Sequence, residues 1–177
     1  MSLYFIRHGK TSYNQSGRLT GSVNVPLNAA GKREVKNIIK KLPKNIKEIW
    51  CSDLLRARQT CYIINKELNL PVKYTFNLRG RSFGSLEGKT WEQVTEMYPS
   101  QQLRLKDKKQ QYNYHPYGGD SVGDIKKRVK KVCACLKKKN HDVLVITSGG
   151  VIRLLRYACD GRIRLNIRNC LVHKLNL

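Results

Sequence analysis

Apolar and polar positions along this chain follow two alternating rhythms. Unbroken apolar runs at Leu3–Ile6, Ile49–Cys51 and Val143–Ile146 are the pattern of strands buried on both faces of a parallel sheet. Weaker runs at Val72–Phe76 and Leu171–Leu175 predict two more strands. Between them the period lengthens to that of a helix. Val35, Ile38, Ile39 and Leu42 share one face after a cap at Asn28, and Pro43 stops the segment. A second helix is expected from Leu54 to about Leu68 with Asp53 as its cap, and a third from Thr90 to about Tyr98. Ser121 with Asp124 forms a capping box before the stripe Val122, Ile125, Val129, Val132, Cys133 and Leu136. A last helix spans Val151 to Ala158. Strands that alternate with helices in this way belong to the α/β class.

The pattern fails in one place. Residues 99 to 117 are polar, rich in glutamine, lysine and tyrosine, and show no period. The segment 88–118 is therefore expected to form a lid or cap on a single domain spanning residues 1–177.

Composition narrows the picture. A chain of 177 residues can bury a core without metals or disulfides. No apolar run approaches the roughly 20 residues of a membrane span, and the first residues lack the form of a signal peptide. The six cysteines show no zinc-like pairing, so reduced thiols in a cytoplasmic protein are expected, with no metal site. Charge is the unusual property: 35 Lys and Arg against 12 Asp and Glu, a net +23. Such a field attracts phosphorylated small molecules or nucleic acid. Lysines that merely solvate the surface account for it equally well.

Candidate chemistry collects at the strand ends. Arg7-His8-Gly9 closes the first strand, where α/β sheets bind their ligands. There a histidine can serve as nucleophile or base, and an arginine presents a planar fork to phosphate oxygens. The loop from Lys10 to Gly21 is rich in donors, and Arg56 lies in the first turn of its helix, within reach of the same region. Ser148-Gly149-Gly150 turns a strand directly into a helix, whose unpaired N–H groups make an anion site.

Taken together, these segments resemble the phosphoglycerate mutase-like branch of the histidine phosphatase superfamily. Arg7-His8-Gly9 with Thr11 and Asn14 is similar to that family's R-H-G-x-T-x-x-N signature, and Gly17-Arg18, Gly21 and Pro26-Leu27 continue it. Ser52 to Thr60 is similar to S-D-L-x-R-A-x-Q-T. Phe83-Gly84-Ser85-Leu86-Glu87-Gly88, Gly118-Gly119-Asp120-Ser121 and Gly149-Gly150-Val151-Ile152-Arg153 follow in order. The resemblance implies a three-layer α/β/α sandwich around a mostly parallel sheet. It implies a phosphatase that hydrolyses small phosphomonoesters through a phosphohistidine on His8, with Arg7 and Arg56 clamping the phosphoryl oxygens. Asn14, Thr20, Gly21, Ser148 and Gly149 would bind phosphate or substrate. No cofactor is implied.

Two departures bear on that expectation. Gly80 stands where the family places the glutamate that protonates the leaving oxygen, and Ser148 stands where it places a second histidine. A general acid contributes about 10²–10⁴ in rate and a transition-state donor roughly 10²–10³. Glu87 is the nearest carboxylate in sequence, although the family pattern assigns it to a separate turn. Three readings follow: a weakened phosphatase, a degenerate relative that binds a phosphorylated ligand or a partner without turnover, and a basic nucleic-acid-associated protein. A phosphatase is favoured over a mutase because the segment between Gly88 and Gly118 is short. The sequence leaves the oligomeric state open.

Overall fold

The computed structural model describes residues 1–161 and 167–176. In chain order its main elements are β1 (Ser2–Arg7), α1 (Ser12–Gln15), α2 (Ala29–Ile39), β2 (Ile46–Ser52), α3 (Leu55–Leu68), β3 (Val72–Thr75), α4 (Trp91–Met97), α5 (Leu103–Lys108), α6 (Val122–Leu136), β4 (Asp142–Thr147), α7 (Gly149–Asp160) and β5 (Val172–Asn176). The five strands form one sheet in the order β3-β2-β4-β1-β5. The pairs β2/β3, β2/β4 and β1/β4 are parallel, and only β5 runs antiparallel, along the edge beside β1.

Strand periodicity builds the layers. Leu3 and Phe5 of β1, Val143 and Val145 of β4 and Trp50 of β2 pack with the buried stripes of α6 and α7 on one face. Tyr4, Ile6, Leu144, Ile146, Ile49 and Cys51 point the other way and meet α2 and α3. The result is the three-layer α/β/α sandwich. Complete burial of each such side chain stabilises the fold by about 1.5–3 kcal/mol.

Capping decided several boundaries. Asn28 accepts from Gly31 N–H at the start of α2, the expected box Ser121/Asp124 is present, and Thr90 caps α4 within a further box with Gln93. The expectation for α3 was wrong. Asp53 does not cap it, because its carboxylate takes both arms of the Arg79 guanidinium at 2.7 and 2.6 Å, a stronger partner than a lone N–H. The first free N–H of α3, on Leu55, instead donates to Asn24 Oδ1, 31 residues earlier. The loop after β1 also holds an unexpected turn of helix, α1, closed by a capping box between Thr11 and Asn14.

The aperiodic segment 99–117 contains α5 flanked by short 3₁₀ turns. Leu103, Tyr112 and Tyr114 anchor it to the α6/α7 face of the core. Its burial is scattered rather than periodic, which is why no element was legible there.

Candidate active site

The carboxyl end of β1, the turn after β4 and the first turn of α3 open onto one cavity. Arg7, His8, Asn14, Thr20, Gly21, Arg56, Gly80, Ser148 and Gly149 all line it. These are the positions singled out from the sequence, now brought together from the first 21 residues, the start of α3, the loop after β3 and the start of α7. Arg18, Arg81, Phe83, Tyr112 and Arg153 line it as well. Sequence reasoning gave those five no role, since each lies in a motif or loop whose neighbours drew the attention.

His8 sits at the floor, 4% exposed. Its N–H continues the β1/β4 ladder by donating to Thr147 O at 3.0 Å, and Asn169 Nδ2 donates to its carbonyl at 2.6 Å. The ring is held equally firmly. Nδ1 lies 2.9 Å from Gly9 O, and because a carbonyl can only accept, the ring proton is on Nδ1. Nε2 therefore carries the lone pair, and Arg56 Nε–H donates to it at 3.2 Å. Burial, then the charges of Arg56 and Arg7, holds the imidazole pKa well below its ordinary value, so the ring is neutral at physiological pH.

The arginines owe their placement to backbone carbonyls. Arg56 donates from Nη1 to Val23 O at 2.8 Å and from Nη2 to Gly21 O at 2.6 Å. Burial lowers its pKa to about 10, which leaves it charged. Behind it, Thr60 Oγ1 donates to Arg56 O and accepts from Gly9 N–H, tying the helix to the loop after β1. Gly9 is required there: a Cβ would come within 2.8 Å of Gly31 O. Arg7 donates from Nη1 to Ile167 O at 3.0 Å, while its Nε is buried without a partner. Asn14 lines the cavity with Oδ1 committed to Thr11 N–H, so only its amide nitrogen is left for a ligand.

The two departures from the family pattern turn out to be neighbours. A Cβ built on Gly80 would lie 2.9 Å from Ser148 Oγ. Ser148 makes no side-chain capping bond to α7. Glu87 does not line the cavity; it accepts from Ser22 N–H, Ser22 Oγ, Ser82 Oγ and Phe83 N–H. Lys10 and Asn24 are engaged elsewhere: Lys10 pairs with Glu34 at 2.7 Å and Asn24 caps α3. Among the described residues no aspartate or glutamate lines the cavity, and none group with histidine or cysteine as three or more potential metal ligands.

A buried neutral histidine between two arginines at a strand end agrees with the motif order of the sequence, and the comparisons with known proteins decide the family. The description "Histidine phosphatase superfamily (branch 1)" matches residues 3–176. This chain belongs to the histidine phosphatase superfamily. It is 30% identical over 158 residues to the Arabidopsis thaliana protein named metal-independent phosphoserine phosphatase, a match covering 86% of this chain and 66% of that one. It is 30% identical over 155 residues to phosphoglycerate mutase-like protein 4 of the same plant, covering 85% and 67%. The chain thus spans about two thirds of the length of these curated relatives. Among solved structures, TTHB049 of Thermus thermophilus superimposes with a TM-score of 0.80 at 28% identity, covering 99% of this chain and 94% of that one.

Proposed function

We propose that this histidine phosphatase superfamily member is a histidine-nucleophile phosphatase of small phosphomonoesters, working through a phosphohistidine intermediate. The observation that carries the reading is the His8 ring: buried, neutral, with Nε2 against the Arg56 guanidinium in a cavity that Arg7 also lines. A phosphoryl group entering the cavity would meet Nε2 as nucleophile. The Arg56 Nε–H that now occupies that lone pair would pass to an equatorial oxygen, and Arg7 Nε would supply a second charge-assisted bond. Asn14, Thr20, Gly21, Ser148 and Gly149 are assigned to the remaining phosphate and substrate contacts, with the N-terminus of α7 adding its dipole. The segment 88–118 acts as the cap of this one domain. The six free cysteines suit a reducing, cytoplasmic setting.

Four-nitrophenyl phosphate, whose leaving group departs unprotonated, is the substrate to try first, and phosphoserine follows from the Arabidopsis relative's name. Turnover that disappears in His8→Ala, with acid-labile label on His8 after rapid quench, supports the proposal. Turnover that persists in His8→Ala overturns it.

A second reading has its own observation: with Gly80 and Ser148 beside each other, the described residues that line the cavity include no carboxylate and no histidine besides His8. On that reading the protein binds a phosphorylated ligand without hydrolysing it, and calorimetry would show phosphate binding abolished by Arg56→Ala with no turnover of any ester. The nucleic-acid reading is the weaker one. Two of the cations on α6 and just after it are withdrawn, Arg128 to Asp120 and Lys139 to Glu48. The exposed lysines that remain are an ordinary solvated face.

A further inference from the structure

We propose that the leaving group this cavity accommodates is itself a phosphate, so that the protein also cleaves the terminal phosphoanhydride bond of a diphosphate or polyphosphate. This rests on His8 as phosphoryl acceptor and extends that reading from esters to anhydrides. Two independent features of the cavity require explanation, and an anhydride accounts for both.

The first is an excess of positive charge. A transferred phosphoryl group carries about two negative charges, and Arg7, Arg56 and the start of α7 already answer them. Arg18, Arg81 and Arg153 line the same cavity in addition. Arg153 has a buried Nε with no partner, and burial together with the Arg81 charge lowers its pKa. Arg81 gives Nη2 to Asp107 at 2.7 Å and lies over the rings of Phe83 and Tyr112, each 4.8 Å away. Its Nε is also buried and unpartnered. Gly150 leaves room for the rest of the group, since a Cβ there would stand 3.2 Å from Arg81 Nη1. Two mutually repelling guanidinium groups line the same space, each with an N–H donor unused, so a second anion beside the transferred group would relieve the repulsion.

The second feature is the absent acid. An alkoxide is about as basic as hydroxide and needs a proton as it leaves. Glu87 and Asp107, which bond to neighbours of the cavity, are each held by two or more donors and do not line it. A phosphate leaving group needs no proton on its bridging oxygen: the monoester that leaves a nucleoside diphosphate is fully ionised above about pH 6, and inorganic phosphate leaves as the hydrogen phosphate with its proton on another oxygen. A carboxylate-bearing alkyl ester would explain the arginines but not the missing acid. An aryl ester would explain the missing acid but not the arginines.

The step balances without a metal or redox partner. The His8 Nε2 lone pair attacks the terminal phosphorus, the bond to the bridging oxygen breaks, and that oxygen keeps the electron pair as part of the shortened phosphate chain beside Arg81 and Arg153. Water then attacks the phosphohistidine and returns neutral His8. One water proton ends on the released orthophosphate and the other passes to solvent or the second phosphate.

The test measures orthophosphate release in EDTA from pyrophosphate, ADP, 4-nitrophenyl phosphate and glycerol phosphate, for the wild type, His8→Ala, Arg81→Gln and Arg153→Gln. The expected result is His8-dependent cleavage of pyrophosphate or ADP at least 100-fold faster than of glycerol phosphate. The ratio of kcat/KM for the anhydride over the aryl ester should fall at least tenfold in either arginine variant. Pyrophosphate and ADP distinguish an inorganic from a nucleotide source. Cleavage of the aryl ester with neither anhydride touched, or an unchanged ratio in both variants, overturns this inference and leaves the ester phosphatase standing. Failure on all four substrates removes both. The wild-type ratios decide the matter even if a variant does not fold.

Discussion

Gly80→Glu tests directly what the cavity lacks. The new Cβ would lie 2.9 Å from Ser148 Oγ and 3.3 Å from Ser148 Cβ, so Ser148 has to turn. Its hydroxyl caps nothing, and the adjustment costs on the order of 0.5–1.5 kcal/mol. Against this stands the gain from a positioned acid, about 10²–10⁴ in rate, or roughly 3–5 kcal/mol of barrier. The gain should win. The surrounding arginines favour the ionised carboxylate, so only a small fraction of the introduced carboxyl groups will hold a proton at neutral pH. The enhancement should therefore lie near the lower end at pH 7 and grow toward pH 5. The assay compares kcat/KM for glycerol phosphate and 4-nitrophenyl phosphate at both pH values, with Gly80→Glu/Ser148→Ala as the control that removes the Oγ contact. Glycerol phosphate should improve about 100-fold or more and the aryl ester less than tenfold. Equal improvement of both, no change in a folded variant, or a wild type that cleaves the two esters equally well would refute the reasoning.

Three further outcomes are expected. His8 titrates near 6.5 in the unfolded chain but well below that when folded; its share of stability is present above pH 6.5 and lost as pH falls below it, by up to about 1.4 kcal/mol per unit. Thermal melts from pH 7 to 5 should show the wild type losing more than His8→Asn, and parallel losses would contradict a neutral buried ring. Glu87→Gln should leave aryl-ester turnover within tenfold, since Glu87 organises Ser22, Ser82 and Phe83; a loss of 100-fold would make it a participant in the chemistry. Asn24→Ala removes the cap on Leu55 and should cost about 1 kcal/mol, seen as a fall in Tm of roughly 2–4 °C, with an unchanged Tm counting against the cap.

Much of the fold could be read before any coordinate was known. β1, β4 and the buried part of β2 appear as apolar runs because their side chains are covered on both faces, and α2 and α6 appear as stripes because one face of each is covered. The caps at Asn28, Thr90 and Ser121 were legible because donor and acceptor sit three residues apart. The cap on α3 was not, because Asp53 had a competitor, Arg79, 26 residues away. Asn24, which took its place, lies 31 residues from the N–H it accepts. Local pattern cannot rank partners separated by that much chain.

The same division holds at the site. Sequence alone determined the family, the order of the motifs and which residue types are missing, since each of these is written in short contiguous stretches. Only the tertiary structure decided that a side chain at Gly80 would meet Ser148, that Glu87 is spent on a neighbouring loop, and that Arg81 and Arg153 join Arg7 and Arg56 around one cavity. The reason is physical: charge and steric exclusion act through space, and the groups that repel or crowd one another here come from β1, α3, α7 and the loop after β3.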